Sequence, residues 1–452
     1  MGRITLEQAA QWCGGRIEAK YKDITFLGAN NDSRKIEKGQ LFIALKGERD
    51  GHDFIPAALQ KGAAAVLCTH CDGDYPAIVV EDTRIALGQI ARGERERIGM
   101  KVVGVTGSVG KSTTKEMIAA ILESEYRVAK TPANHNNDIG MPMAILSIPE
   151  DTQVAVLEMG MNHFGEIAYL TSIGKPDVAV IVNIGTMHVE HLGSMEGILR
   201  AKLEILEGMP ADGRIVLNGD DSLLWNQRDM LNRKVVYFGV QNTDSEVCAK
   251  SISQDDGLHF TVDAGAEEIS VSLALEGGHY ILDALAAIAV GKELNVPADK
   301  IRESLRNFRT MDGRQEIYEK KGFTIIEDCY NAGPESMNAA LMVLGNRSGR
   351  RVAVLGDMLE LGVCADAEHY KVGRVAAKNA DVLLAYGPNS ERMLYGAITG
   401  GMSQNHARAF TDKEKLTQEL LRLAKPGDVI LFKGSRGMRM EQVLEKFLKE
   451  VN

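Results

Sequence analysis

No block of lysine and arginine interrupts this chain, and its formal net charge is -10. Nucleic acid, which is gripped through concentrated positive charge, is thereby excluded as a main partner. A small anionic ligand is not, because a single pocket can be locally basic. No uninterrupted apolar run reaches membrane-spanning length, and the first residues, MGRITLEQAAQW, lack the basic-then-apolar layout of a signal peptide. A cytoplasmic protein with no membrane partner is expected. Cysteine is sparse: Cys13, Cys68, Cys71, Cys248, Cys329 and Cys364 are scattered, which suits reduced thiols in an intracellular chain better than a disulfide framework. Cys68 and Cys71 spell C-x-x-C, a spacing open to a redox pair or half a zinc site. No second such pair follows, so GAAAVLC reads as a buried strand ending at a surface turn.

What is present is a long chain with a regular rhythm. At 452 residues it exceeds what one hydrophobic core organises, so two to four domains are expected. Residues 1–99 mix strand-like runs (LFIAL, AAAVL, AIVV) with helical stretches (LEQAAQW, FIPAALQKG, RIALGQIARGERERI), and the charged end of the last helix, followed by Gly99, predicts a linker. Residues 100–312 alternate near-continuous apolar strands (KVVGV, QVAVLEMG, DVAVIVNIG, RIVLNGDD, KVVYFG) with helical periods, including one around Met195 to Glu207. That pattern predicts a parallel sheet covered on both faces. Between Ser245 and Leu275 the alternation shortens, predicting antiparallel, peripheral strands. Residues 313–452 restart the rhythm (FTIIED, RRVAVLGDM, DVLLAYG, DVILFKGS) as a further doubly wound unit.

The strongest chemical signal is GVTGSVGKSTTKE, Gly104 to Glu116, set between strand KVVGV and a helix beginning near Ser112. Strict P-loop spacing asks for glycine where this chain has Val105. The context nevertheless predicts phosphate binding, with N–H groups of the Gly107–Lys111 turn and the helix N-terminus facing phosphate oxygens. Lys111 would reach the β and γ phosphates and Ser112 would ligate Mg²⁺. Ligands of parallel sheets gather at the carboxyl ends of strands, where QVAVL gives Glu158 and DVAVIV gives Asn183, with His188 just beyond. Glu158 is a natural Mg²⁺ ligand; His188 is open to metal ligation or an ordinary loop hydrogen bond, and His191 is given no role. Lys202, with Glu204 and Glu207 nearby, reads by itself as a solvated surface lysine, and an unmodified ammonium cannot ligate metal. Arg314, Asp328, Tyr330, Asn331, Lys433, Ser435 and Arg436 stand at strand ends and turns of the last unit and predict a binding face.

At these residues the chain resembles the Mur ligase family. VTGSVGKSTT is similar to that family's ATP loop, in which Val105 is in place. KTPANHNNDIGMP, LEMGMNHFGEI, NIGTMHVEHLGS and RAKLEI resemble its central domain, NDSRKIEKGQLFIALKGERDGHDFIPAALQKGA its amino-terminal one, and EDCYNAGPESMNAAL, VLGDMLELG and KGSRGMRME its carboxyl-terminal one. The resemblance implies three domains: a small α/β unit binding a UDP-sugar peptide (1–99), a P-loop-type parallel sheet with helices on both faces binding ATP (100–312), and a Rossmann-like unit closing on ATP and binding the incoming dipeptide (313–452). It implies an ATP-driven ligase that activates a UDP-N-acetylmuramoyl-tripeptide carboxylate as an acyl phosphate and joins it to D-Ala-D-Ala in peptidoglycan synthesis. ATP would be held by Thr106, Gly107, Ser108, Val109, Gly110, Lys111, Ser112 and Thr113, with Arg314, Asp328, Tyr330 and Asn331. Two Mg²⁺ would be held by Ser112, Glu158, His188 and a carbamylated Lys202. The substrates would meet Ser33, Arg34, Lys46, Gly47, Asn134, Asn137, Lys433, Ser435 and Arg436. A monomer with small-molecule partners is implied.

Asp283 and Tyr280 stand where the family usually has asparagine facing adenine, and NAGP replaces the commoner NANP, so Gly333 lacks one polar contact. A sister ligase adding one amino acid is expected to carry DNPR, which is missing here. Folylpolyglutamate synthase, which shares the ATP loop, is disfavoured by DSR…FIALKGE. A nucleotide-dependent switch is disfavoured by the lack of N-K-x-D.

Overall fold

The computed structural model describes residues 4–132, 134–265, 267–310 and 313–451. The expected second boundary falls on Met311 and Asp312, which lie outside the described residues.

Near the amino terminus β1 (Ile4–Thr5) and β2 (Thr25–Phe26) form a two-stranded sheet. Next comes a four-stranded parallel sheet in the order β3 (Ala29–Asn30), β4 (Leu41–Ile43), β5 (Ala65–Cys68), β6 (Ala77–Val79). Cys68 ends β5 buried, with both C-x-x-C thiols free. The helix Thr83–Ile98 starts where Asp82 accepts the N–H groups of Arg84 and Ile85, and stops at Gly99, whose φ of 71° is left-handed.

The central sheet contains β7 (Lys101–Thr106), β8 (Val128–Lys130), β9 (Val154–Glu158), β10 (Val178–Ile181), β11 (Arg214–Asn218), β12 (Val235–Gly239), β13 (Val247–Ser253), β14 (Leu258–Asp263) and β15 (Glu268–Leu273). These nine lie in the order β15-β14-β13-β12-β11-β10-β7-β9-β8. Alternate side chains of its apolar strands enter opposite cores. Val102, Ala155 and Ala179 pack on one face, in a core shared with Leu41, Leu67 and Ile78 of the first sheet. Val103, Val156 and Val180 pack on the other, beneath the helices Lys111–Leu122 and His279–Glu293. As expected, β13, β14 and β15 form an antiparallel run at the sheet's edge; on its other side β13 pairs β12 in parallel. The Asp220 carboxylate collects the N–H groups of Val240, Gln241 and Asn242 and turns the chain back in time for β13 to run that way. The helix expected to reach Glu207 ends at Leu203 and tightens into a 3₁₀ turn over Glu204–Leu206.

A six-stranded sheet completes the architecture: β16 (Glu316–Lys320), β17 (Phe323–Asp328), β18 (Arg351–Gly356), β19 (Val382–Tyr386), β20 (Ala407–Phe410) and β21 (Val429–Lys433), in the order β16-β17-β21-β18-β19-β20. Only the β16–β17 pair is antiparallel, and apolar cores cover both faces. The fold class is therefore the expected α/β one, with parallel sheets wrapped by helices.

Candidate active site

Register assembles the site. Val105 of β7 pairs Glu158 of β9 while Thr106 pairs Ile181 of β10, so all three strands end at one edge, and the glycine loop leaves β7 there. Gly110, at φ 84°, precedes the helix Lys111–Leu122; a Cβ there would also lie 2.6 Å from Asp283 Oδ1, so glycine is needed for both conformation and space. The loop's early amides are engaged, contrary to the expectation that they face phosphate. Ser108 and Val109 donate to Asn183 Oδ1 at 3.1 and 3.0 Å, and Asn183 Nδ2 returns a bond to the Val109 carbonyl. The helix-start amides from Lys111 onward are the ones that intrahelical bonding leaves for an anion.

Lys111 Nζ donates to the carbonyls of Gly107 and Ser108 at 2.8 and 3.1 Å, and burial lowers its pKa. Ser112 Oγ donates to Glu158 Oε2 at 2.6 Å, and Asn136 Nδ2 to Glu158 Oε1 at 2.8 Å. Behind them Lys115, fully buried, donates to the Thr131 carbonyl at 2.7 Å and stands 3.9 Å from Glu158. Lys202 is not a surface residue: only 2% exposed, it is pushed well below the ordinary lysine range by burial and then by the Lys111 charge. Helical wrapping hides it, since Ile198, Leu199 and Ala201 bury the same stretch.

A cavity of about 590 Å³ opens over the loop. Ser108 to Thr113, Glu158, His188, Asn134 and Asn137 line it from the central sheet, and Arg314, Asp328, Tyr330, Asn331 and Lys433 from the last one. Lys433 Nζ pairs Asp328 at 2.5 Å, and the Arg314 guanidinium stacks 4.0 Å from the Tyr330 ring centre. His279, Tyr280 and Asp283 close one end. Burial drops His279 to about 4 and raises Asp283 to about 7, the latter against a 2.8 Å bond from Thr114 Oγ1.

Other expected residues stand outside the cavity lining. Thr106, Gly107 and Lys202 do not line it. Ser435 braces the Ala332 carbonyl to the Leu359 amide, and Arg436 is exposed beside Glu441. Ser33, Arg34, Lys46 and Gly47 belong to turns of the four-stranded sheet, where Arg34 holds Asp32 at 2.9 Å through two nitrogens and lowers it to about 2. His188, at φ 65°, places Nδ1 2.6 Å from Glu360 Oε2, close enough for an ion pair though off the line a ring hydrogen bond needs. Asn136, Lys115, Glu335 and Glu360 escaped the sequence reading. Lys115 lies four residues after Lys111, which alone signals a shared helix face; the partners of the others are remote in sequence.

A phosphate-gripping loop at the carboxyl edge of a parallel sheet, roofed by a second doubly wound unit, defines a class of nucleotide-dependent three-domain α/β proteins. The Mur ligase middle domain matches residues 105–291, the Mur ligase glutamate ligase domain 313–436, and the Mur ligase catalytic domain 23–95. UDP-N-acetylmuramoyl-tripeptide--D-alanyl-D-alanine ligase of Bacillus subtilis is 38% identical over 99% of both chains, and that of Escherichia coli 37% over 98% of this chain and 97% of its own. MurF from Acinetobacter baumannii superimposes with a TM-score of 0.91 at 33% identity over 100% of both chains. MurF from Thermotoga maritima in complex with ADP gives 0.83 at 32% identity, over 94% of this chain and 98% of its own. The chain belongs to the Mur ligase family.

Proposed function

We propose that this chain joins D-alanyl-D-alanine to UDP-N-acetylmuramoyl-tripeptide with ATP, giving the pentapeptide, ADP and phosphate in a cytoplasmic step of peptidoglycan synthesis. The observation that carries the reading is one cavity shared by the Ser108–Thr113 loop, Glu158 and the Arg314–Lys433 face, in a chain alike over its whole length to ligases of that name.

A carboxylate is a poor electrophile. Transfer of the ATP γ-phosphoryl group to a carboxylate oxygen breaks the bond to ADP and forms an acyl phosphate. The dipeptide amine then attacks the acyl carbon, phosphate leaves, and the amine proton is lost. The helix-start amides and Lys111 hold the phosphates, and Arg314 offsets the charge that develops. Lys433, paired with Asp328, is assigned to the incoming dipeptide, and the two facing sheets bring amine and acyl group together. Arg34 and Lys46 are assigned to the UDP end of the sugar substrate with Ser33 and Gly47, and Asn134 and Asn137 to its central loop.

Ser112 Oγ and Glu158, 2.6 Å apart, are hard oxygen donors beside a phosphate site, so these residues fit Mg²⁺. Bound there, the ion would neutralise charge on the transferring phosphoryl group. For a second ion we assign His188 and Lys202. Burial favours the neutral Lys202 amine, the form that adds CO₂; the resulting carbamate replaces an ammonium donor with an anionic oxygen acceptor.

Phosphate release from ATP tests the reading. Release should require both UDP-N-acetylmuramoyl-tripeptide and D-Ala-D-Ala, and release independent of either one refutes it.

A further inference from the structure

The helix Pro334–Gly345 of the last unit begins against the central sheet, and Glu335 in its first turn crosses the gap. Its Oε1 accepts from the Thr186 N–H at 3.0 Å and from Thr186 Oγ1 at 3.2 Å. Two glycines permit this approach. A Cβ on Gly185 would lie 2.9 Å from Glu335 Cδ and Oε1, and one on Gly333 would lie 2.7 Å from Met187 Cγ. Each glycine thus leaves room for a side chain of the opposing segment to lie against it. Gly185 is in turn tied to the phosphate loop: its N–H donates to Ser108 Oγ at 2.8 Å, and its carbonyl accepts from the same hydroxyl at 3.2 Å. Glu335, Thr186, Gly185 and Ser108 therefore form one unbroken chain of contacts from the last unit to the nucleotide loop.

A carboxylate free to choose would turn both oxygens to water. Glu335 instead leaves Oε2 buried without a hydrogen-bond partner, a cost that the two bonds from Thr186 must outweigh. Both donors are neutral, so the contact needs an acceptor oxygen at the reach of a glutamate side chain rather than a negative charge.

We propose that Glu335 is a positioning residue for the ligase reaction: acting through Thr186, it seats the Arg314–Lys433 face over the phosphate loop. This role rests on the ligase reading above. Glutamine keeps the acceptor oxygen at the same reach and removes the charge; alanine removes both. Gly185→Ala leaves the carboxylate intact but drives a methyl group into it.

The test compares wild type, Glu335→Ala, Glu335→Gln and Gly185→Ala as full chains. Small-angle scattering in the presence of a non-hydrolysable ATP analogue reads the placement of the last unit without turnover. Steady-state assays read kcat and the KM for ATP. Glu335→Ala and Gly185→Ala should give a larger radius of gyration than wild type, with kcat lowered roughly 10-fold or more. Glu335→Gln should match wild type in both. Wild-type scattering from Glu335→Ala, or an equal defect in Glu335→Gln, overturns the proposal. The ligase reading fails separately, if wild type releases phosphate without both substrates. A fold lost in Glu335→Ala would show as a collapsed circular dichroism spectrum; Gly185→Ala against Glu335→Gln then decides the matter by the same two readouts.

Discussion

Burial sets the chemistry of individual side chains around the cavity. Lys202 shows how: as one lysine in RAKLEI it has the composition of a surface position, and its glutamate neighbours suggest an exposed salt bridge. Glu204 instead accepts from the amides of Gly165 and Ala168, leaving Lys202 buried near Lys111. No local pattern encodes that, because the burial that chiefly depresses it, and the Lys111 charge that adds to it, both come from the fold around it. Lys202→Ala should lower kcat by about 10²-fold, the scale of losing one electrostatic support of a transition state. Added short carboxylates should restore part of the rate, and full activity without them would remove Lys202 from the mechanism. Asp283 tests burial through pH. Its folded-state pKa of about 7 lies above the unfolded value of about 3.9. Between these values the folded chain binds the extra proton, so the contribution to stability is complete below about pH 4 and disappears as pH rises through 7. Thr114 and Arg314 oppose the shift without cancelling it. Urea unfolding should therefore show Asp283→Asn gaining stability over wild type between pH 5 and pH 8, by up to a few kcal/mol on the scale of about 1.4 kcal/mol per pKa unit. A difference constant with pH contradicts a neutral Asp283.

At the scale of elements, the parallel strands were legible because their apolar runs are buried on both faces and need no partner to be recognised. The loop was legible because strand, glycine turn and helix adjoin in sequence. What stayed hidden was pairing across distance. Nothing in KVVGV or in NIGTMH says that Asn183 folds onto Ser108 and Val109, and this correction changes which amides are left for phosphate. Nor does VCAKSISQ reveal that Asp220 bends the preceding turn so that β13 runs parallel to its neighbour. Asn183→Ala removes three hydrogen bonds from the loop. At about 0.5–1.5 kcal/mol each, the loss should loosen the loop. The KM for ATP should rise roughly 10-fold while the global unfolding midpoint falls only modestly. An unchanged KM for ATP would show that the loop holds its shape without Asn183. The helix behind it supplies a contrast. Ile118 is fully buried in the core between the Lys111–Leu122 and His279–Glu293 helices, so Ile118→Ala should cost about 2–5 kcal/mol in chemical denaturation, chiefly as stability.

Across the whole molecule, an acidic chain must still gather polyanionic ligands. The net charge of -10 repels them at long range, so attraction has to be local, and it comes from two sheets at once. Lys111 stands on the central side, and Arg314 and Lys433 on the other, with Lys433 already neutralised by Asp328. That leaves Arg314 as the last unit's uncommitted cation in the lining among the described residues, held flat against Tyr330. Its charge favours a nucleotide only when the last unit lies over the loop, so nucleotide affinity and the placement of that unit are linked: each should strengthen the other by the same factor. Arg314→Ala should therefore do two things together. It should raise the KM for ATP roughly 10-fold, the cost of one charge-assisted phosphate contact of about 1.5–3 kcal/mol. It should also weaken the protection that a non-hydrolysable ATP analogue gives to amides of β17 and β21 in hydrogen exchange, while leaving protection of β7 and β9 in place. If saturating analogue protects β17 and β21 equally in both proteins, Arg314 acts on affinity alone, and the link between the nucleotide and the last unit must run through the Thr186 contact instead.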